Sequence, residues 1–175
     1  MPESPLLIDR GAALRLARTR RQALLQVAFW PDDLAVAGPA LAAALGFDFP
    51  PNGWTVAGLP QGFAYRTAPD RLLIAGADLL AATHDALGDA GVVTDLSHAR
   101  QRLELAGGEA AALLSRGLDR SAGGLVPGTF AQTRLRDAGL LLHCLETDRF
   151  HLLVPSSFAE AVVDWLVQAD EIMHY

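Results

Sequence analysis

DRLLIAGADLLAATHDAL, Asp70 to Leu87, and DRFHLLVPSSFAEAVVDWL, Asp148 to Leu166, read as two copies of one unit. Each opens on an Asp-Arg turn, runs through a short apolar strand and closes as a helix. In the second copy Phe158, Ala161, Val162, Trp165 and Leu166 recur at helical spacing, which puts them on one stripe. Ser157 followed three residues later by Glu160 has the form of a capping box. In the first copy the helix is expected from about Asp78 to Leu87. Two strand-helix units in one chain predict an α+β fold of antiparallel sheets with helices packed on them. The 175 residues suit a single domain with two sub-units, about 1–90 and 91–175.

The segments around the copies fit that frame. LRLAR from Leu14 and ALLQVAFW from Ala23 read as strands. Pro31-Asp32-Asp33 opens a helix that ends at Gly46, since proline and acids suit a helix N-terminus. YRTAPDRLLIAG gives two strands about a Pro-Asp turn, VVTDLSH and QRLELAG give two more, and GGEAAALLSRGL is a helix stopped at Gly117. PGTFAQTRLRDAGLLLH, Pro127 to His143, is strand, tight turn and strand.

Composition narrows the function. Hydrophobic residues are 51% of the chain and charged ones 19%, which points either to surface that another chain covers or simply to an alanine-rich composition. A net charge of −6 argues against nucleic-acid binding as the main task. All fourteen basic residues are arginine, which removes Schiff-base chemistry and a phosphate-loop lysine. Arg10, Arg15, Arg18, Arg20 and Arg21 cluster near the start, where a solvated face is the default. The single cysteine, Cys144, excludes an internal disulfide. A soluble, cytoplasmic protein without a membrane span is expected.

A two-residue turn at Thr147-Asp148 sets Cys144 across from His151, a ligand pair too small for structural zinc. Asp95, Ser97 and His98 have the residue types of a hydrolytic triad without its spacing; an Asp-Ser turn is the expected use. Gly107-Gly108 precedes a helix and offers an anion cradle or a plain turn. His84 and Asp85 are adjacent on a helix and splay apart. No catalytic, cofactor-binding or metal residue is assigned. Arg134 and Arg136, two apart on a strand, share a face and are the residues assigned to partner contact.

Several runs together resemble a known family. SPL at Ser4 to Leu6, RLLI at Arg71 to Ile74, VTDLSHARQRLELAGGEAAALLSRGL from Val93, PGTFAQTRL, LLHCL and FHLLVPSSFAEAVVDWL look like the gamma subunit of heterotetrameric sarcosine oxidase. Val93, Asp95, Ser97 and His98 also match a pattern of the folate-dependent aminomethyltransferases of glycine cleavage. There the hairpin bears an aspartate-containing catalytic loop; here it is cut to Arg136-Asp137-Ala138-Gly139. The resemblance implies a cofactor-free, non-catalytic gamma subunit. Its partners would be an alpha subunit with NAD and tetrahydrofolate, a beta subunit with flavins (FAD and FMN), and a zinc-binding delta subunit. The complex would demethylate sarcosine oxidatively to glycine. A gamma-type subunit of an N-methylglutamate dehydrogenase and a stand-alone folate-binding one-carbon protein are the alternatives.

Overall fold

The computed structural model describes residues 6–51, 55–60, 62–76, 79–119 and 124–174. Ser4, Pro5, the expected helix start at Asp78, and Gly123 lie outside them. The chain forms two compact units, one made of 1–21 with 99–175 and the other of 22–98. The boundary is therefore not a single cut near residue 90. The first strands belong with the C-terminal half because their hydrogen-bonding partner lies there.

The second unit runs β3 (Ala23–Phe29), α1 (Leu34–Leu45), β4 (Val56–Leu59), β5 (Gly62–Ala68), β6 (Arg71–Gly76), α2 (Leu80–Leu87) and β7 (Gly91–Asp95). Its sheet order is β4-β5-β6-β3-β7, antiparallel throughout. Leu25, Val27, Leu72 and Ile74 alternate onto one face and meet Leu41 and Leu87 of the helices in one core. No side chain of α1 is charged or polar. Its outward residues Ala35, Val36, Pro39, Ala40, Ala43 and Ala44 are exposed, Val36 at 78%. An ordinary surface helix turns charged residues to water.

The first unit runs β1 (Leu6–Asp9), β2 (Arg15–Arg18), then β8 (Arg100–Ala106), α3 (Ala110–Ser115), β9 (Thr129–Leu135), β10 (Ala138–Glu146), β11 (Arg149–Pro155) and α4 (Ala159–Met173). Its sheet order is β1-β2-β8-β11-β10-β9. Leu103, Leu105, Leu142, Phe150 and Leu152 of the strands share a core with Leu113 and Leu114 of α3 and Leu166 of α4. Burying a side chain such as Phe150, 1% exposed, contributes roughly 1.5–3 kcal/mol.

The two units repeat one plan. Strand, helix, three antiparallel strands and helix occur in that order in both, and the helix-bearing last strand lies between its hairpin partner and the opening strand. The order β4-β5-β6-β3-β7 is matched by β9-β10-β11-β8-β2. The place that β7 fills beside β3 is filled beside β8 by β2. The sequence repeat thus extends well beyond the two strand-helix pieces that revealed it. Strands β1 and β4 went unread because four residues carry little periodic signal.

One local expectation fails. Ser156–Phe158 form a 3-10 turn, and the start of α4 has no side-chain cap hydrogen bond. Arg18 takes the Glu160 carboxylate instead, donating to both oxygens at 2.7 and 2.9 Å. A bidentate charged pair outcompetes the neutral cap.

Candidate functional site

Among the described residues, three places in the first unit gather polar or ionisable side chains into a possible site. The first is a row across the sheet. Register sets Glu104 beside His151, and His151 beside His143. Glu104 lies 3.2 Å from the His151 ring nitrogen and 2.9 Å from an Arg149 guanidinium nitrogen. The His151 hydrogen bond, aided by Arg149, holds Glu104 down at about 2 against the cost of burial. Burial, with His151 and Arg102 nearby, lowers His143 to about 4. Burial likewise lowers His151. Both histidines are therefore neutral at pH 7, and their rings meet edge to face at 5.9 Å.

Cys144 does not join this row. A bulge between Cys144 and Glu146 shifts the hairpin register, so Cys144 faces Phe150 and His143 faces His151. The expected Cys144–His151 pair is thus corrected by one residue, and the thiol turns into the core. Its Sγ lies 3.1 Å from the Glu146 carbonyl, and burial raises its pKa. A buried thiol held protonated is a poor nucleophile.

The second place is the far end of α4. Arg10 reaches Glu109 at 2.9 Å and Asp170 at 2.6 Å, and also meets His174. The ligand atoms of Glu109, Asp170 and His174 lie within 4.8 Å of one another, but a guanidinium already supplies the positive charge among them. The N-terminal arginines are partly absorbed in this way, with Arg15 on Asp9 and Arg18 on Glu160. Arg15, Arg20 and Arg21 remain exposed, as a solvated face requires, while Arg10 and Arg18 are drawn into ion pairs.

The third place is a groove of about 300 Å³ where the β9–β10 turn meets the start of α4. Leu135, Ala138, Phe158, Val162 and Trp165 give it apolar walls, and Arg136 and Asp137 form one end. Arg134 and Arg136 do not share a strand face, as their spacing suggested. Arg134 stays on β9, opposite Gly139, while Arg136 occupies the turn at φ +53°. The turn is two residues, Arg136-Asp137, shorter than the four expected. A Cβ on Gly117 would lie 2.5 Å from the Trp165 ring, so the ring seats against bare backbone. The helical stripe splits here: Val162 and Leu166 enter the core, while Phe158 remains 44% exposed at the groove.

The remaining candidates serve the backbone. Asp95 accepts from the Ser97 N–H at 2.8 Å and its hydroxyl at 2.5 Å, while Ser97 Oγ accepts from Leu24 N–H at 3.0 Å. These bonds lower the Asp95 pKa and make the expected Asp-Ser turn. Gly107 has φ +121°, and a Cβ there would lie 2.5 Å from the Ala13 carbonyl oxygen. The Gly108 and Glu109 amides donate to Ala12 and Ala13 carbonyls at 3.1 and 3.0 Å. The anion cradle is thus closed by the N-terminal hairpin.

Comparison with solved structures identifies the class first. An aminomethyltransferase T of the glycine cleavage system from Bartonella henselae overlays on 89% of this chain at TM-score 0.61 and 19% identity. The chain spans 46% of that protein, and the likeness is one of fold: an aminomethyltransferase-like α+β architecture. Within that class, the chain is similar to a chain of the heterotetrameric sarcosine oxidase from Corynebacterium sp. U-96. The overlay covers 90% of this chain and 84% of that one, at TM-score 0.82 and 28% identity. This agrees with the sarcosine oxidase resemblance carried by the sequence and supports a related subunit role. No family model and no curated protein sequence matches the chain. Among the described residues no helix is long and apolar enough to cross a membrane.

Proposed function

We propose that this chain is the non-catalytic gamma subunit of a heterotetrameric sarcosine oxidase. In that role it supports the oxidative demethylation of sarcosine to glycine by alpha, beta and delta partners. The observation that carries this reading is the likeness to a sarcosine oxidase chain over most of both lengths. Two features support it. The outward face of α1 is wholly apolar, and the groove beside α4 leaves Phe158 in water; both suit burial against another chain. FAD, FMN, NAD and tetrahydrofolate would belong to the partners. Arg134 and Arg136 are assigned to partner contact.

The test is affinity purification of the tagged chain from its native host, with mass measurement and a visible spectrum. A flavin-coloured complex of several chains that oxidises sarcosine is expected. Recovery of the chain alone, or sarcosine demethylation by the isolated chain, would overturn the reading. The aminomethyltransferase fold favours a second reading, a stand-alone tetrahydrofolate-binding protein. Tight quenching of the fluorescence of the three tryptophans by tetrahydrofolate would select it.

A further inference from the structure

The groove beside α4 ends in an arginine that the hairpin itself does not favour. Tight two-residue turns place Gly, Asn or Asp where φ is positive. Arg136 is the single non-glycine residue at positive φ among those described. A glycine stands three residues on, at Gly139, but inside β10. The main chain at the turn is held on its own account. Arg136 N–H donates to the Gly117 carbonyl at 2.8 Å, and Asp119 N–H donates to the Arg134 carbonyl at 3.1 Å. Neither bond needs a side chain at position 136.

Among the described residues the side chain is also idle. Arg10, Arg15, Arg18 and Arg149 pair with carboxylates, and Arg66 and Arg100 donate to backbone carbonyls. Among the described residues, no hydrogen bond or ion pair engages the exposed Arg136 guanidinium. A residue kept against local backbone preference, with no local gain, marks a functional position.

We propose that this groove receives an apolar side chain from a different subunit, and that a carboxylate on the same partner segment pairs with Arg136. The inference rests on the subunit reading above. Apolar walls and the exposed Phe158 suit the apolar side chain. Arg136, with Arg134 exposed on the same hairpin, selects the acid in a chain whose net charge is −6. Asp137, the acid among the lining residues, repels a carboxylate from its own side and so fixes which way the segment lies. The likeness to a chain of a heterotetramer favours a different chain over a second copy.

The absence of lysine from this chain makes a direct test available. Arg136→Lys introduces its one side-chain amine. A zero-length carbodiimide applied to the purified native complex should then join position 136 to an Asp or Glu of a partner subunit, located by mass spectrometry. Arg136→Gly should raise the melting temperature of the isolated chain by about 1–4 °C, while weakening its retention in the complex about 10- to 100-fold. Phe158→Ser should weaken retention similarly without lowering the melting temperature. An arginine merely tolerated by the turn gives the same thermal gain with unchanged retention. That result overturns the proposal, as does an intact complex in which position 136 joins only to carboxylates of this chain. If the wild-type chain brings down no partner, the subunit reading falls first and takes this inference with it.

Discussion

The two ends of α4 treat arginine in opposite ways. At the end near Asp170, Arg10 is enclosed by Glu109, Asp170 and His174, tying the N-terminal hairpin, the start of α3 and the last turns of α4 together. At the end near Phe158, Arg136 stands beside an apolar groove, and among the described residues no carboxylate forms an ion pair with it. The same residue type serves assembly of the fold at one end and remains available at the other. What separates them is the company each keeps, a distinction that composition and clustering cannot draw. Within the N-terminal cluster the same division appears, with Arg10 and Arg18 drawn into pairs while Arg15, Arg20 and Arg21 stay exposed.

The largest expected effect strikes both ends together. Leu166 is fully buried between them, so Leu166→Ala should destabilise the first unit by about 2–5 kcal/mol. Denaturant unfolding would measure it; a loss below about 1 kcal/mol would show that the ends of α4 are held independently of its middle.

Acid tests the comparison from the sheet side. His143 sits at about 4 in the folded chain, below its ordinary value of 6.5. The unfolded chain therefore binds the proton more readily, and stability present above pH 6.5 is lost as pH falls toward 4, by an amount on the order of 3 kcal/mol. Glu104, at about 2 against an ordinary 4.5, adds a second loss between pH 4.5 and 2. His143→Phe should flatten the first window in a melting series from pH 8 to 4. An unchanged slope would remove the histidine row from the acid response.

The smallest effect is the most local. Arg10→Ala leaves Glu109 and Asp170 without their shared cation. Amide exchange should quicken in the last turn of α4 while the turn at Arg136 keeps its protection. Equal quickening at both would erase the contrast between the two ends.

Much of the fold was legible in the sequence. Alternating Leu103 and Leu105 announced β8, apolar runs about turns announced β10 and β11, and the Asp-Arg turns exposed the repeat, because turn chemistry and apolar period act within a few residues. The misreadings share a cause: each was decided by a residue distant in sequence or by one extra residue in a strand. The Ser157–Glu160 cap lost its acid to Arg18, 142 positions away. The Gly107 and Gly108 amides were taken by the Asp148 and Ala12 carbonyls. A single bulge exchanged Cys144 for His143 opposite His151. Arg134 and Arg136 were noticed for their charge, but the groove beside them needed α4 folded against the turn before it existed.

The placement of β2 against β8 has a consequence for how the molecule is made. During synthesis the N-terminal hairpin leaves the ribosome with no sheet to join, and some eighty residues must follow before its docking edge is translated. The intervening unit, 22–98, holds its own strands and helices and can close first. The opening hairpin is then recruited late, across a long loop, which makes its capture by β8 a slow step. An edge left waiting in this way is the part of the nascent chain most open to chaperones or to mispairing with a neighbour.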